Sequence, residues 1–143
     1  MADVDVRGLR ETIAAFRNLP KDASNELRDA TQQVSRDVAE RISRAARASS
    51  RQAALMAKTV KARRDRVPVV QAGGATRVGR NRNPAYKILF GANFGARYLK
   101  QFRPWRAAGT RDYFFFSSVE DMEPEINQRW IATADTVLRR WGQ

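Results

Sequence analysis

Apolar residues recur at intervals of three and four along residues 20–48, which is the spacing of one face of an α-helix. The repeat runs through Leu27, Val34 and Ile42, and alanines fill most of its other positions. Pro20 stands at the start, where a helix needs no backbone donor. The pattern predicts one long helix over roughly 20–48, whose small side chains let another element lie close to it.

Shorter helical segments are predicted on both sides of this helix. After it, residues 51–58 are expected to add a helical turn or two. Before it, apolar residues follow the same spacing at Val6, Leu9, Ile13 and Phe16.

The hydrophobic pattern changes in the middle of the chain, where strands are expected. Residues 58–64 and 66–71 are compatible with the period-two alternation of β-strands. Pro68 has no backbone donor, so its strand is expected at a sheet edge or a bulge. Residues 73–84 are rich in Gly, Arg and Asn and predict a mobile loop or a hairpin tip. The apolar residues 85–91 predict one further, buried strand.

The chain ends in a second long helical repeat, which follows an apolar run at 112–119. Ser117 and Ser118 precede Glu120 and Asp121 at the spacing of a capping box, in which a serine and an acid satisfy the first free N–H groups of a helix. These residues predict where the helix begins. Its stripe continues through Val119, Met122, Ile126, Trp130, Thr133, Val137 and Trp141.

Pro124 lies inside this repeat, so it either kinks the helix or restarts it at its own first turn. Helices at both ends of the chain and strands between them predict an α+β fold in a single domain, 1–143. We expect N-terminal helices, one of them long, a small antiparallel sheet in the middle of the chain, and a C-terminal helix packed on that sheet.

Positive charge is concentrated in the middle of the chain. The net charge is +12, and residues 51–111 hold 15 basic residues and a single acid, Asp65. A block this one-sided is typical of a surface that meets an anionic partner, either a nucleic acid or the acidic face of another protein. The alternative is a solvated face with no partner.

The composition argues against several kinds of chemistry. The chain has no cysteine and no histidine, which removes disulfides, thiol nucleophiles, imidazole catalysis and the usual zinc sites. Gly74 and Gly79 have the spacing of a phosphate-binding loop, but Arg80 and Asn81 stand where Lys and Ser or Thr are required. The acids at 120–125 fit a helix N-terminus better than a carboxylate metal site. We therefore expect no enzyme, no cofactor and no bound metal.

No membrane or secretory segment is expected either. The first residues, MADVDVRG, contain two aspartates and lack the apolar stretch of a signal peptide. No apolar run approaches the roughly 18 residues that span a bilayer.

Residues 90–109, FGANFGARYLKQFRPWRAAG, combine arginines with aromatic residues and carry no acid. Such a mixture binds phosphates and stacks bases in nucleic-acid grooves. Arginines and aromatics are also enriched at the energetic centres of protein interfaces. No nucleic-acid-binding motif is recognisable, so composition alone leaves three hypotheses open: a nucleic-acid groove, a docking surface, or core aromatics among solvated arginines.

Several short motifs follow one another in a recognisable order. After the long helix and the basic segment come Phe90-Gly91 with Phe94-Gly95, Phe102-Arg103-Pro104-Trp105, the aromatic residues 113–116, and Pro124-Glu125. This order resembles that of small head–tail connection proteins of long-tailed bacteriophages, the neck or tail-completion proteins. Members of that family typically carry a strand followed by an F-G-x-x-F/Y-G-like turn, an aromatic segment with a proline, an aromatic strand and a closing helix.

The resemblance implies a structural virion protein rather than an enzyme. Such proteins form rings, commonly hexameric, between the portal–adaptor–stopper complex and the tail tube, and DNA passes through the ring without specific binding. Partners would be further copies of the chain and the neighbouring head-completion and tail-tube proteins, with assembly in the bacterial host cytoplasm. A tail terminator that caps the tail tube is an alternative of the same class, and a basic nucleic-acid-binding protein is the alternative of another class.

Candidate interface residues come from the basic segment and from residues 90–109. We expect the arginines to bridge to acidic faces of neighbouring subunits, because phosphate contacts would slow the passage of DNA. Phe90 and Phe94 are expected to pack the β region on the helices, and Gly91 and Gly95 to form turns. The predicted contacts with other subunits or partners are Arg63, Arg64, Arg66, Arg77, Arg80, Arg82, Phe102, Arg103, Trp105 and Arg106.

Overall fold

Helices at both ends of the chain enclose a short β region, as the predicted α+β class requires. The computed structural model describes residues 14–106 and 110–141, and a helical turn at 14–16 precedes the main elements. The helices are α1 (Lys21–Ser49), α2 (Arg51–Ala57), α3 (Ala85–Phe94) and α4 (Phe115–Trp141). The strands are β1 (Lys61–Arg63), β2 (Val69–Gln71), β3 (Arg77–Val78) and β4 (Asn83–Pro84).

The long helix α1 and the short helix α2 confirm the helical pattern of the first half of the chain. The Ser50 hydroxyl between them accepts a hydrogen bond from the backbone N–H of Ala53 at 3.1 Å and so caps α2. Small residues dominate the buried face of α1, which lets its neighbours lie close to the helix backbone. That face consists of Ala23, Leu27, Thr31, Val34, Ser35, Val38, Ala39, Ile42, Ser43 and Ala46.

The C-terminal helix α4 packs antiparallel to α1. Arg140 near the end of α4 lies 3.0 Å from Glu26 near the start of α1, and Arg129 lies 2.7 Å from Asp37. The order of residues along one helix is therefore reversed along the other. α1 is thus the principal packing partner of α4. The packing of α4 on the β region is more limited than expected. One such contact is the hydrogen bond from Trp130 Nε1 to the carbonyl of Arg66, which lies between β1 and β2.

Buried side chains form two clusters. The larger one contains Ile42, Met56 and Phe114 and joins α1, α2, α3 and the start of α4. The smaller one contains Phe16 and Trp130, whose rings meet edge to face with centroids 6.2 Å apart. Phe16 thus confirms one position of the predicted N-terminal stripe. Its other members, Val6, Leu9 and Ile13, lie outside the described residues.

The strands form two separate antiparallel ribbons. In the first, β1 pairs with β2, with Ala62 opposite Val70, which confirms the predicted strands in shorter form. In the second, β3 pairs with β4 within residues 73–84, so this segment is a hairpin. Val78 of the second ribbon is buried in the larger cluster and fixes the hairpin to the helices. The mobility predicted for this segment stays a prediction.

Residues 85–91 lie in helix α3, and the strand predicted there is wrong. Ala85, Ile88 and Ala92 form its buried face at the helical spacing of three and four. An apolar run this short fits a strand and a helix equally well, because its period cannot be read over so few residues.

The aromatic residues 113–116 lead into helix α4, so the aromatic strand that the resemblance implies at this place is wrong. The predicted serine capping box does not start this helix. Asp112 instead accepts hydrogen bonds from the first free backbone N–H groups of α4. Its carboxylate accepts hydrogen bonds from the backbone N–H groups of Phe116 and Ser117, both at 2.7 Å. Ser117 and Ser118 lie inside the first turn. Helix α4 begins earlier than predicted because its capping residue, Asp112, precedes Ser117 and Ser118 in the sequence.

Pro124 does not restart the last helix. It lies in the interior of α4, which runs from Phe115 to Trp141. Because proline has no N–H, the carbonyl of Glu120 lacks its intrahelical partner at this point.

Candidate functional site

A loop of residues 95–106 between α3 and α4 is closed at its base by hydrogen bonds. The N–H of Ala96 donates to the carbonyl of Arg103 at 2.9 Å, and the N–H of Arg106 donates to the carbonyl of Phe94 at 2.8 Å. The Tyr113 hydroxyl donates to the carbonyl of Pro104 at 2.7 Å. Residues 97–100, here called the tip, lie beyond this base, and all four are exposed.

A buried polar pair holds the two helices together beneath the loop. The Asn93 amide nitrogen donates to Asp112 Oδ2 at 2.9 Å, and the Asn93 amide oxygen accepts from the N–H groups of Phe114 and Phe115. Asn93 and Asp112 are both buried, and their polar atoms are paired with each other and with backbone. The base of the loop is therefore fixed by hydrogen bonds that are largely shielded from water.

The two glycines predicted to form turns have different roles. Gly95 ends α3 with a φ of 81°, and a side chain there would overlap the Pro104 carbonyl, which confirms a turn. Gly91 lies inside α3, so the predicted turn is wrong. The ring of Phe102 occupies the space above Gly91 and packs against the larger cluster. Phe102 is therefore mainly a contact within the chain.

An exposed aromatic surface runs along α3 and onto the start of α4. Tyr86, Phe90 and Phe94 are one helical turn apart on α3, and Phe116 continues the row. Ring centroids lie 4.8 Å apart between Phe90 and Phe94, and 6.2 Å apart between Phe94 and Phe116. Phe90 is 67% exposed, so it does not pack the β region on the helices as predicted. These four residues are called the aromatic patch below.

The sequence already contained the signal for this patch. Tyr86, Phe90 and Phe94 are spaced by four, which places them on one face of a helix. Because the predicted strand ends at residue 91 and a turn is predicted at Gly91, Phe94 is separated from Tyr86 and Phe90, and the common face of the three aromatics is missed.

The arginines near β1 and β2 are mostly engaged within the chain. Arg64 Nε lies 2.6 Å from Asp29 Oδ1, and Arg66 Nη1 donates to the carbonyl of Phe16 at 3.3 Å. Arg63 on β1 is exposed and has no ion pair among the residues that the structure describes. Arg64 and Arg66 therefore hold the first ribbon on the helices rather than facing a partner.

Arg103 and Arg106 are stacked on Tyr113. Their guanidinium carbons lie 4.4 Å and 3.9 Å from the ring centroid, within the range of a cation–π contact. Arg103 also donates to the carbonyl of Ser49 at 3.2 Å, and Arg106 to that of Arg111 at 2.8 Å. These two arginines thus hold the loop in place, although Arg103 is exposed to solvent and Arg106 is partly exposed.

The remaining predicted arginines lie on the second ribbon. Arg77, Arg80 and Arg82 are exposed, and Arg77 donates to the carbonyl of Arg82 at 3.0 Å. None of the three has a carboxylate partner within the described part of the chain. The ten predicted residues therefore divide among the first ribbon, the second ribbon and the loop.

Trp105 belongs to an open groove on the loop. It is 41% exposed and lines a space of about 520 Å³ together with Tyr98, Leu99 and Pro104. Among the ten predicted contact residues, Trp105 is thus an exposed aromatic side chain on a loop whose base is held by hydrogen bonds.

Acidic side chains lie on α4 immediately beyond the aromatic patch. Arg111 Nη2 lies 2.9 Å from Asp121 Oδ1, and this hydrogen bond and the charge of Asp121 raise the pKa of Arg111 above its ordinary value. Glu120 and Glu123 have no ion pair in the described ranges. The electrostatic character therefore changes from basic on the loop to acidic on α4.

Residues 14–106 and 110–141 contain no group of three His, Cys, Asp or Glu side chains placed to hold a metal ion. Within the same residues, no helix is long and apolar enough to cross a bilayer. No protein-family model matches the chain, and no match was found among curated proteins or solved structures.

Proposed function

We propose that this protein is a structural subunit of the head–tail junction of a long-tailed bacteriophage, which joins the head to the tail tube as part of a ring. The order of its short motifs supports the proposal, and so does its surface. Phe90, Tyr98, Trp105 and Phe116 are all exposed. The rings of Phe90, Phe94 and Phe116 form a continuous row. Contiguous exposed apolar surface is typical of interaction sites, and interfaces are enriched in aromatic residues and arginine.

The single observation that carries the proposal is that this apolar surface sits on fixed elements. Phe90 and Phe116 lie on two helices that Asn93 and Asp112 tie together. A surface that is already ordered loses little conformational entropy when it binds. Such a surface suits permanent assembly with another protein, in the neck ring or, as the alternative of the same class, in a tail terminator.

One observation favours nucleic-acid binding as the second candidate. Arg80 and Arg82 are exposed on the second ribbon, next to the exposed Arg77, where a phosphate backbone could reach them. Against this, Arg64, Arg66, Arg103 and Arg106 are engaged within the chain. These four arginines are therefore poorly placed to hold a nucleic acid, and in our proposal DNA passes through the ring without specific binding.

The proposal is tested by mass photometry and light scattering of the purified protein with and without DNA, at low and at moderate salt. A discrete ring, or a protein that ignores DNA at moderate salt, supports a connector subunit. Binding through phosphates falls steeply as salt rises, whereas apolar assembly survives. A monomer that keeps DNA tightly bound at moderate salt would overturn the proposal in favour of a nucleic-acid-binding protein.

A further inference from the structure

The sign of the charge reverses along the chain at Asp112. Between Asp65 and Asp112 there are ten Lys or Arg residues and no acid, whereas between Asp112 and Arg129 there are four acids and no Lys or Arg. The loop belongs to the first segment, and the first half of α4 belongs to the second. One molecule therefore presents a basic element and an acidic element, joined at the base of the loop.

The tip of the loop is a basic element with an apolar centre. Tyr98 is 91% exposed and Leu99 is 54% exposed, and Arg97 and Lys100 flank them. Neither Arg97 nor Lys100 has an ion pair among the described residues. Exposure of two adjacent large apolar side chains on a closed loop is costly in water, so the tip is suited to burial against a partner.

The start of α4 is an acidic element that continues the aromatic patch. Phe116, Glu120 and Glu123 follow at intervals of four and three, which places them on one face of the helix. Phe116 is 45% exposed, and it continues the ring row from Phe90 through Phe94. This face therefore offers aromatic rings at one end and, at the other, carboxylates that have no ion pair within residues 14–106 and 110–141.

We propose that the tip of one copy docks on the aromatic patch and the acidic face of α4 of a second copy. Tyr98 and Leu99 meet the rings of Phe90 and Phe116, and Arg97 and Lys100 meet Glu120 and Glu123. The proposal rests on the proposed function, because it names the contact through which successive subunits associate.

A second copy is the occupant because the two surfaces complement each other in charge. Each has an apolar part beside charged groups, and the charges are of opposite sign. A nucleic acid is a poor partner for this pair, since phosphates are repelled by Glu120 and Glu123. Because the tip and the acidic face are different surfaces, a copy that has used one of them still has the other free, and the association propagates.

Charge exchange provides the first test. The variants are R97E/K100E at the tip, E120K/E123K on α4, and the chain that carries all four changes, each studied by sedimentation velocity over a range of concentrations. Like charges placed opposite each other oppose docking, so we expect each two-site reversal to weaken self-association roughly tenfold or more. The four-site variant should recover it, and a mixture of the two reversed proteins should associate.

A matched control reverses two charges away from the proposed contact. Arg36 and Arg41 are exposed on α1, and R36E/R41E changes the net charge by the same amount as R97E/K100E. This control should associate like the unmodified protein. Far-UV circular dichroism of every variant checks that the helices are intact.

Disulfide trapping provides the second test, because the chain contains no cysteine. With Y98C and E120C in one chain, oxidation should link successive copies into a ladder of multimers. The pair Y98C and A132C, with Ala132 exposed elsewhere on α4, should give no ladder. Either single variant should give dimers at most.

The outcomes separate this inference from the proposed function. If the protein assembles but the reversals leave association unchanged and no ladder forms, the docking pair is wrong while a ring subunit remains supported. If the unmodified protein stays monomeric at every concentration and the Y98C/E120C chain forms no ladder, the docking pair is again overturned, and the DNA experiment decides the function. A monomer that holds DNA at moderate salt overturns both.

Discussion

Phe102 lies directly on Gly91 of α3, so close that a β-carbon at position 91 would come 2.8 Å from the ring. Glycine inside a helix costs about 1 kcal/mol relative to alanine, so this position needs a compensating gain. The gain is the ring itself, which packs against the larger cluster and holds the loop on the helix.

Replacement of Gly91 by alanine is expected to destabilise the protein although alanine is the better helix former. Displacing the Phe102 ring costs about 1–3 kcal/mol, which exceeds the gain of about 1 kcal/mol in helix propensity. Urea unfolding of Gly91→Ala should therefore give a net loss of roughly 1 kcal/mol. In the F102A background the same substitution should become stabilising, and an equal loss in both backgrounds would contradict the contact.

Replacement of Gly95 by alanine should be more damaging than replacement of Gly74, although both have positive φ. Gly95 has a φ of 81° and faces the Pro104 carbonyl, whereas Gly74 has a φ of 82° and nothing within 4 Å. We expect Gly74→Ala to lose about 1 kcal/mol through backbone strain, and Gly95→Ala to lose about 3 kcal/mol or more through strain and overlap. Thermal unfolding of the two variants measures the difference, and equal losses would refute the close approach.

Removal of the Asp112 carboxylate should strongly destabilise the junction of α3 and α4. Asp112→Ala loses the helix cap and leaves the buried Asn93 amide without a partner, so we expect a loss of about 2–4 kcal/mol. Asp135 is a matched control, because it forms an exposed pair with Arg139 one turn away at 3.0 Å. Asp135→Ala should cost below about 0.5 kcal/mol in the same urea titration. Similar midpoints for the two variants would rule out a structural role for Asp112.

The indole N–H of Trp130 should contribute more to the free energy of unfolding than the indole N–H of Trp141. Trp130 is 3% exposed and its Nε1 donates to the Arg66 carbonyl at 2.8 Å, whereas Trp141 is 38% exposed. Trp130→Phe loses this bond and some packing, which we expect to cost about 2 kcal/mol. Trp141→Phe, which loses an exposed bond to Glu26, should cost below about 1 kcal/mol. Guanidinium unfolding followed by circular dichroism compares them.

Trp105→Ala is expected to weaken assembly while the helix content of the monomer stays intact. Trp105 is 41% exposed and lies outside both buried clusters, so its removal leaves the core unchanged. Ile131 is the control, because it is 50% exposed on α4 away from the loop. Ile131→Ala should assemble normally in sedimentation velocity. An unfolded Trp105→Ala monomer would instead assign Trp105 to the core.

The two long helices have the clearest pattern in the sequence. In α1 and α4 the apolar residues repeat over many turns, so the period is unambiguous and tertiary contacts only select which face is buried. Short apolar runs carry no such information. Residues 85–91 and 113–116 are rich in aromatic and branched residues and fit a strand by composition, yet both lie in or beside helices.

The candidate site was predictable in composition but not in arrangement. Residues 90–109 identify the exposed loop and Trp105 as an Arg- and aromatic-rich surface. The sequence does not show that Arg103 and Arg106 stack on Tyr113, or that Arg64 pairs with Asp29, because these partners are distant along the chain. It also does not show that Phe90 is exposed.

The sequence by itself determined the order of the main helices, the basic middle segment and the acidic start of the last helix, since these depend on local periodicity and composition. Only the tertiary structure decided which aromatic residues remain outside the core. Phe102 is held against Gly91 and Phe114 is buried, while Phe90 and Phe116 lie at the surface. The reason is physical: burial depends on which elements pack together, and the space that one helix leaves for another is not encoded at any single position.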